Sequence, residues 1–120
     1  PNLLPEKNYY ASCLTDEKDN LIEIREKYSF EKYIQKAKHS PGVYYFKTGK
    51  ILKKYCQKLV ESEDQAINGE FYASLPYNFM IKDGLKVWVP TNVKKFCQWG
   101  TPEDLKEYLF WTEMVKGMVK

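Results

Sequence analysis

Residues 9–27, YYASCLTDEKDNLIEIREK, have the pattern of a β-hairpin. Residues 9–14 are rich in side chains that favour strands, and the polar cluster at residues 15–20 is typical of a turn. Residues 21–24 predict a second strand, because three of the four are Leu or Ile. The beginning of the chain is therefore expected to form two paired strands.

The next apolar segments predict a third strand and then a helix. Residues 42–46, GVYYF, form a compact apolar run between Pro41 and Gly49, which predicts a buried strand. In residues 49–61 the apolar side chains recur at spacings that place them on one face of an amphipathic helix. Residues 62–69 are expected to form a loop.

The second half of the chain predicts another helix and two short strands. The helix is expected over residues 70–82, where Pro76 should kink it or mark a late start, and Gly84 should end it. Residues 85–89 alternate apolar with other side chains as a half-buried strand does, and residues 93–99 suggest one more strand.

The last predicted helix has the clearest capping signal. Thr101 can accept from the free amide groups of the first turn, and Pro102 suits the first helical position. Glu103 and Asp104 complement the helix dipole. The order of elements predicts one α/β domain over residues 1–120, with a mixed sheet and flanking helices.

The composition of the chain limits the classes of partner that it is expected to bind. Its 120 residues are 43% hydrophobic and 29% charged, as in folded proteins. The net charge of +3 comes from scattered lysines with acidic residues between them, so we expect no nucleic-acid partner. We also expect a cytoplasmic protein without a membrane partner, because there is neither a long apolar run nor a secretory signal.

The cysteines and the first residue add two further expectations. The three cysteines are odd in number and form no C-x-x-C pair, so neither a disulfide framework nor a zinc site is expected. The chain begins at Pro1 and not at a methionine, which suggests a piece of a longer protein.

Three polar clusters could carry chemistry: the pair Glu26-Lys27, residues 69–72 and residues 98–104. A carboxylate can accept from a sugar hydroxyl and an ammonium can neutralise a phosphate, although such a pair on its own is usually a surface ion pair. Glycines before helices can admit a ligand or serve as ordinary caps. His39 has no catalytic partner at a diagnostic spacing and is expected in a loop or at the surface.

The order of these clusters resembles the later half of bacterial sugar-phosphate nucleotidyltransferases, a group that includes glucose-1-phosphate thymidylyltransferases. That family has a Glu-Lys pair after a hairpin, a Gly-x-Tyr-x-Phe strand, a Gly-Glu-Phe/Tyr-Tyr segment and a closing Gly-Thr-Pro-Glu-Asp-Leu. The matching stretches are residues 26–27, 42–46, 69–72 and 100–105. The resemblance spans nearly the whole chain.

The resemblance implies part of a Rossmann-like nucleotidyltransferase domain and a set of substrate-binding residues. In the family the acid of the Glu-Lys pair binds the sugar and the lysine binds its phosphate. The implied substrate-binding residues are Glu26, Lys27, Gly42, Tyr44, Glu70 and Tyr72. The implied reaction transfers a nucleotidyl group from a nucleoside triphosphate to a sugar 1-phosphate, for surface-polysaccharide synthesis. No catalytic residue is assigned.

Two departures from the family pattern limit what this chain can do alone. The glycine-rich loop and the first metal-binding aspartate belong to the earlier half of the family's domain, so a missing N-terminal half would bind the nucleoside triphosphate. Gln98 stands where the second metal-binding aspartate is expected, and an amide is a poor magnesium ligand. We therefore expect Mg²⁺ in the complete domain, no metal in this chain, and no activity from the isolated chain.

Alternative functions remain open at this point. The chain could be a noncatalytic module of the same fold that binds a ligand or a partner subunit, which Gln98 and the missing loop favour. A glycosyltransferase-like domain is a further alternative, although these residues contain no Asp-x-Asp motif. Half of a sheet leaves an open edge, so association into a homo-oligomer through that edge is also expected.

Overall fold

The computed structural model describes residues 10–33 and 36–119, and its first feature is the hairpin. Strand β1 (Ser12–Thr15) pairs antiparallel with β2 (Leu21–Arg25). The Asp16 carboxylate holds the turn, because it accepts from the backbone amides of Lys18 and Asn20, both at 2.9 Å. The hairpin prediction is confirmed for residues 10–25, whereas Tyr9 lies outside the described residues.

A short third strand completes the sheet of the described residues. Strand β3 (Lys38–His39) pairs antiparallel with β1, which gives the strand order β2-β1-β3. The predicted mixed sheet is therefore wrong for this part of the chain, because every described strand pairing is antiparallel. His39, expected in a loop or at the surface, lies in a strand and is partly buried, so the loop position is wrong. The α/β class itself is confirmed.

Residues 42–46 do not form the predicted buried strand. The Ser40 amide still donates to the Ala11 carbonyl at 2.8 Å, and the chain then leaves the sheet through Pro41 and Gly42, whose φ is 84°. Val43 is 81% exposed and no ladder forms. An apolar run of this kind can therefore belong to an irregular segment in which only some of the side chains contact the core.

The strands predicted at residues 85–89 and 93–99 are also wrong. The first segment meets the hairpin at single points: the Leu21 amide donates to the Val87 carbonyl and the Val89 amide donates to the Asp19 carbonyl. The second segment is irregular and leaves Trp99 56% exposed. An alternating pattern predicts a strand only where a partner strand runs alongside.

The helix predictions are confirmed, two of them in position. Helix α1 (Gly49–Glu61) has Thr48 as its N-cap, and a short 3₁₀ turn follows at Glu63–Gln65 in the predicted loop. Helix α2 (Pro76–Lys82) begins late, at its proline. Helix α3 (Pro102–Met118) begins with a capping box in which Thr101 and Asp104 bond each other's backbone amide.

The core lies between the hairpin and the first two helices. α2 packs against β2, and α1 packs against α2. The buried cluster consists of Ala11, Cys13, Leu21, Ile24, Tyr55, Tyr77 and Met80. The Asn78 amide fixes α2 to the sheet edge, because it donates to the Ile24 carbonyl at 2.8 Å and accepts from the Ile24 amide at 2.9 Å. This contact holds the segment before α2 close to the end of β2.

Candidate functional site: a cleft at the end of β2

The Glu-Lys pair lies in the turn that follows β2. Lys27 has a φ of 51°, in the left-handed region that a lysine rarely adopts, and its amide donates to the Tyr10 carbonyl at 3.1 Å. A non-glycine residue in this region costs about 1–2 kcal/mol. The turn therefore separates the two side chains, with Glu26 partly buried and Lys27 exposed.

An open cleft of about 310 Å³ lies beside Glu26, and we call it the Glu26 cleft. It is lined by Tyr10, Ala11, Glu26, Ser40, Pro41, Gly42, Tyr44, Tyr72 and Ala73. Four of the six residues implied by the resemblance thus line one cavity. Lys27 lines a neighbouring cavity of about 320 Å³ that also includes Glu26, and Glu70 contacts Tyr72 from outside both.

Ser74 holds the Glu26 carboxylate in place. Its hydroxyl donates to Glu26 Oε1, and the serine is fully buried in the segment before α2. Glu26 Oε2 makes no hydrogen bond to any described residue, so it can accept one from a ligand. Sequence reasoning missed Ser74. Its only signal is a small polar residue two positions before the proline that begins a helix.

Tyr44 adds a neutral hydroxyl to the cleft. Burial raises the pKa of the Tyr44 phenol, the Ser40 hydroxyl opposes that rise through a hydrogen bond, and the negative charge of Glu26 adds to it. Ser74 also bonds the phenol and again opposes the rise. Tyr44 therefore keeps its proton near neutral pH and can donate a hydrogen bond as well as accept one.

Cys13, a buried core residue of β1, is not a nucleophile at this site. Burial raises the pKa of the Cys13 thiol to about 11, and the negative charge of Glu26 contributes while Lys38 opposes it. Since the thiolate is the reactive form, Cys13 stays an unreactive thiol at neutral pH.

Tyr72 contacts Lys27 and Glu70, the two predicted residues that do not line the Glu26 cleft. Its hydroxyl donates to Glu70 Oε2 at 2.9 Å, and the Lys27 ammonium lies 5.5 Å from the centre of its ring. The pKa of Lys27 is raised, first by a hydrogen bond with Tyr72 and then by nearby negative charge that includes Glu70 and Glu26. Lys27 is therefore a positively charged group close to the Glu26 cleft.

Gly69 belongs to a tight turn and not to the start of a helix. Asn68 and Gly69 have φ values of 52° and 78°, and Ile67 and Glu70 bond to each other across them. Two successive positive φ values characterise a type I′ turn. Because α2 begins only at Pro76, no helix amides are present at residue 70 to hold an anion. The glycine therefore serves the turn.

The residues around Gln98 do not fit a magnesium ion. Gln98 Oε1 accepts from the Tyr10 hydroxyl, and Gln98 Nε2 donates to Asp104 Oδ2 at 3.3 Å. That same carboxylate oxygen caps α3 by accepting from the Thr101 amide. Among the described residues there is no group of three His, Cys, Asp or Glu side chains that could hold a metal.

Glu26, Gly42, Tyr44 and Tyr72 thus share one cleft, and Lys27 and Glu70 lie beside it.

None of the described helices is both long and apolar enough to cross a lipid bilayer. Comparisons of the chain with protein-family models, with curated proteins and with solved structures found no match.

Proposed function

We propose that the Glu26 cleft binds a sugar phosphate, as the sugar-phosphate side of a nucleotidyltransferase domain. The observation that carries the proposal is the convergence of Glu26, Gly42, Tyr44 and Tyr72 on one cleft from three separate segments of the chain. Its volume of about 310 Å³ is at the lower end of the range for small-molecule sites.

The polar groups of the cleft suit a sugar. Glu26 Oε2 accepts from a sugar hydroxyl, while Ser74 keeps the carboxylate in one orientation through the other oxygen. The Tyr44 hydroxyl offers a second partner, and the aromatic rings of Tyr44 and Tyr72 provide apolar surface for the carbon face of the sugar.

The phosphate is assigned to Lys27. Its ammonium lies 5.5 Å from the ring centre of Tyr72, which lines the Glu26 cleft, and Lys27 itself lines the neighbouring cavity. In the complete protein a phosphate oxygen of the sugar 1-phosphate would attack the α-phosphorus of a nucleoside triphosphate. An oxygen–phosphorus bond forms, the bond to pyrophosphate breaks, and pyrophosphate leaves. This chain would bind and orient the sugar phosphate in a cytoplasmic enzyme, and the triphosphate would be bound elsewhere.

A noncatalytic module that binds the same ligand is the second candidate. The observation that favours it is that both ends of the Gln98 amide already bond within the protein, to Tyr10 and Asp104. Both candidates bind a sugar phosphate, but only the nucleotidyltransferase takes part in catalysis.

Calorimetric titration of the chain with glucose 1-phosphate tests the binding. We expect Glu26→Gln to weaken affinity about 10-fold or more, because a hydrogen bond to a charged group is worth about 1.5–3 kcal/mol. Glu107→Gln, an exposed change of the same type on α3, is the matched control and should leave affinity unchanged.

Two outcomes count against the proposal. Equal loss in the two variants would mean that binding does not involve the Glu26 cleft, and no binding of glucose 1-phosphate at millimolar concentration would remove this sugar phosphate as a ligand. Glucose and inorganic phosphate, titrated separately, show whether both halves of the ligand contribute. Lys27→Gln should reduce the preference for glucose 1-phosphate over glucose.

A further inference from the structure

Glu26 and Lys27 are neighbours in sequence, yet their opposite charges do not pair. Neither side chain forms an ion pair with another described residue. The left-handed turn at Lys27 separates them, because Glu26 lines the Glu26 cleft while Lys27 lines the cavity beside it. The site therefore presents a negative group and a positive group that both remain available to a ligand.

The Glu26 carboxylate is the one charged group among the described residues that line the Glu26 cleft. The other eight are tyrosines, alanines, a serine, a proline and a glycine. Burial raises the pKa of the Tyr10 and Tyr44 phenols, so these two hydroxyls stay neutral at neutral pH. A ligand that enters the cleft thus meets a single negative charge that the lining does not offset.

An ammonium group satisfies this carboxylate more fully than a hydroxyl does. Ser74 donates to Glu26 Oε1, whereas Oε2 makes no hydrogen bond to a described residue. A sugar hydroxyl would donate to Oε2 but leave the charge of the partly buried carboxylate without a counter-charge. An ammonium would donate to the same oxygen and also neutralise the charge, which makes the stronger kind of hydrogen bond.

The aromatic lining of the cleft also favours a cation. Tyr10, Tyr44 and Tyr72 all line it, and the face of an aromatic ring attracts a positive charge within about 6 Å of its centre. The Lys27 ammonium already lies 5.5 Å from the ring centre of Tyr72. An anion gains nothing from such faces, so the phosphate of a ligand belongs at Lys27 and not among the tyrosines.

We propose that the ligand of the Glu26 cleft is an amino-sugar phosphate, whose protonated amine pairs with Glu26 while its phosphate pairs with Lys27. This inference rests on the proposed function and adds the chemical class of the sugar. A ligand with one ammonium and one phosphate neutralises both unpaired charges of the turn. Glucose 1-phosphate neutralises Lys27 alone and leaves the Glu26 carboxylate without a positive partner.

Calorimetric titration with three sugar phosphates tests the amine. The ligands are glucosamine 1-phosphate, glucose 1-phosphate and N-acetylglucosamine 1-phosphate, at about pH 6.5 so that the amine is protonated. We expect glucosamine 1-phosphate to bind about 10-fold more tightly than glucose 1-phosphate, the lower end of what close charge pairs contribute at binding sites. N-acetylglucosamine 1-phosphate, whose nitrogen is a neutral amide, should bind no more tightly than glucose 1-phosphate.

The ratio of the two dissociation constants, for glucose 1-phosphate over glucosamine 1-phosphate, shows whether Glu26 is the group that selects the amine. Glu26→Gln keeps an oxygen acceptor and removes the charge, so the ratio should fall from about 10 to about 1. Glu107→Gln removes an exposed carboxylate on α3 and should leave the ratio unchanged. Because the measured quantity is a ratio, a general loss of affinity in a variant does not imitate the expected result.

The outcomes separate this inference from the proposed function. Equal affinity of the wild type for glucose 1-phosphate and glucosamine 1-phosphate overturns the amine assignment and leaves sugar-phosphate binding standing. A ratio that persists in Glu26→Gln, or N-acetylglucosamine 1-phosphate that binds as tightly as glucosamine 1-phosphate, also overturns it. Binding of none of the three ligands at millimolar concentration overturns both.

Discussion

Replacing Ser74 by alanine should destabilise the protein, because it removes the donor that holds the Glu26 carboxylate. A hydrogen bond to a charged group contributes about 1.5–3 kcal/mol. Ser74 is fully buried but Glu26 is only partly buried, so water can replace part of the lost contact. We therefore expect a loss of about 1.5 kcal/mol in the free energy of unfolding, which corresponds to a fall of about 6 °C in Tm.

A double-mutant cycle isolates the contact from other effects of the substitution. The free energy of unfolding is measured by urea denaturation for the wild type, Ser74→Ala, Glu26→Gln and the double variant. A neutral amide accepts a weaker hydrogen bond than a carboxylate, so Ser74→Ala should cost about 1 kcal/mol less in the Glu26→Gln background. Ser62→Ala is the control, because the Ser62 hydroxyl donates to the Lys58 carbonyl at 2.9 Å, remote from Glu26 in sequence. If Ser74→Ala costs the same in both backgrounds, the two side chains are not coupled and the reasoning about the cleft is refuted.

Three further predictions concern the core and its margins. Cys13 should react with iodoacetamide at pH 8 more slowly than the other two cysteines, because its pKa of about 11 leaves little thiolate; equal rates by mass spectrometry would contradict its burial. The pKa of Asp83 is lowered, first by the Tyr55 hydroxyl, so Asp83 stabilises the protein above about pH 4, its ordinary range, and this contribution is lost as pH falls through the lower folded pKa. Asp83→Asn should flatten the acid limb of stability against pH, and an unchanged limb would refute this. Asn78→Ala should cost about 1–3 kcal/mol in urea denaturation, because it leaves the Ile24 amide and carbonyl unpaired, and a loss below about 0.5 kcal/mol would show that water replaces both bonds.

Local signals predicted the parts of the fold that depend on nearby residues. The turn at residues 15–20, the cap of α3 at Thr101 and the proline that delays α2 each act within one turn of the chain, so their effect can be read from the sequence. The three wrong strands depend on partners that are distant in sequence. Residues 85–89 have a strand pattern, yet they touch the hairpin only at Leu21 and Asp19.

Part of the candidate site could be predicted, but from the family resemblance and not from local signals in the sequence. Neither composition nor spacing identifies Gly42 and Tyr44 as neighbours of Glu26, and the family resemblance alone suggested them. Ser74 escaped because its role depends on burial, which appears only once Asn78 has fixed α2 to the edge of β2.

A nuclear magnetic resonance titration of the ¹⁵N-labelled chain with glucose 1-phosphate tests sugar-phosphate binding at the Glu26 cleft, because it reports where the ligand binds. We expect saturable shifts concentrated at the amides of Glu26, Lys27, Gly42, Tyr44 and Tyr72, with little change along α1 and α3. Shifts that are absent at saturating concentration, or that concentrate on residues outside the Glu26 cleft, would contradict the assignment of this cleft to a sugar phosphate.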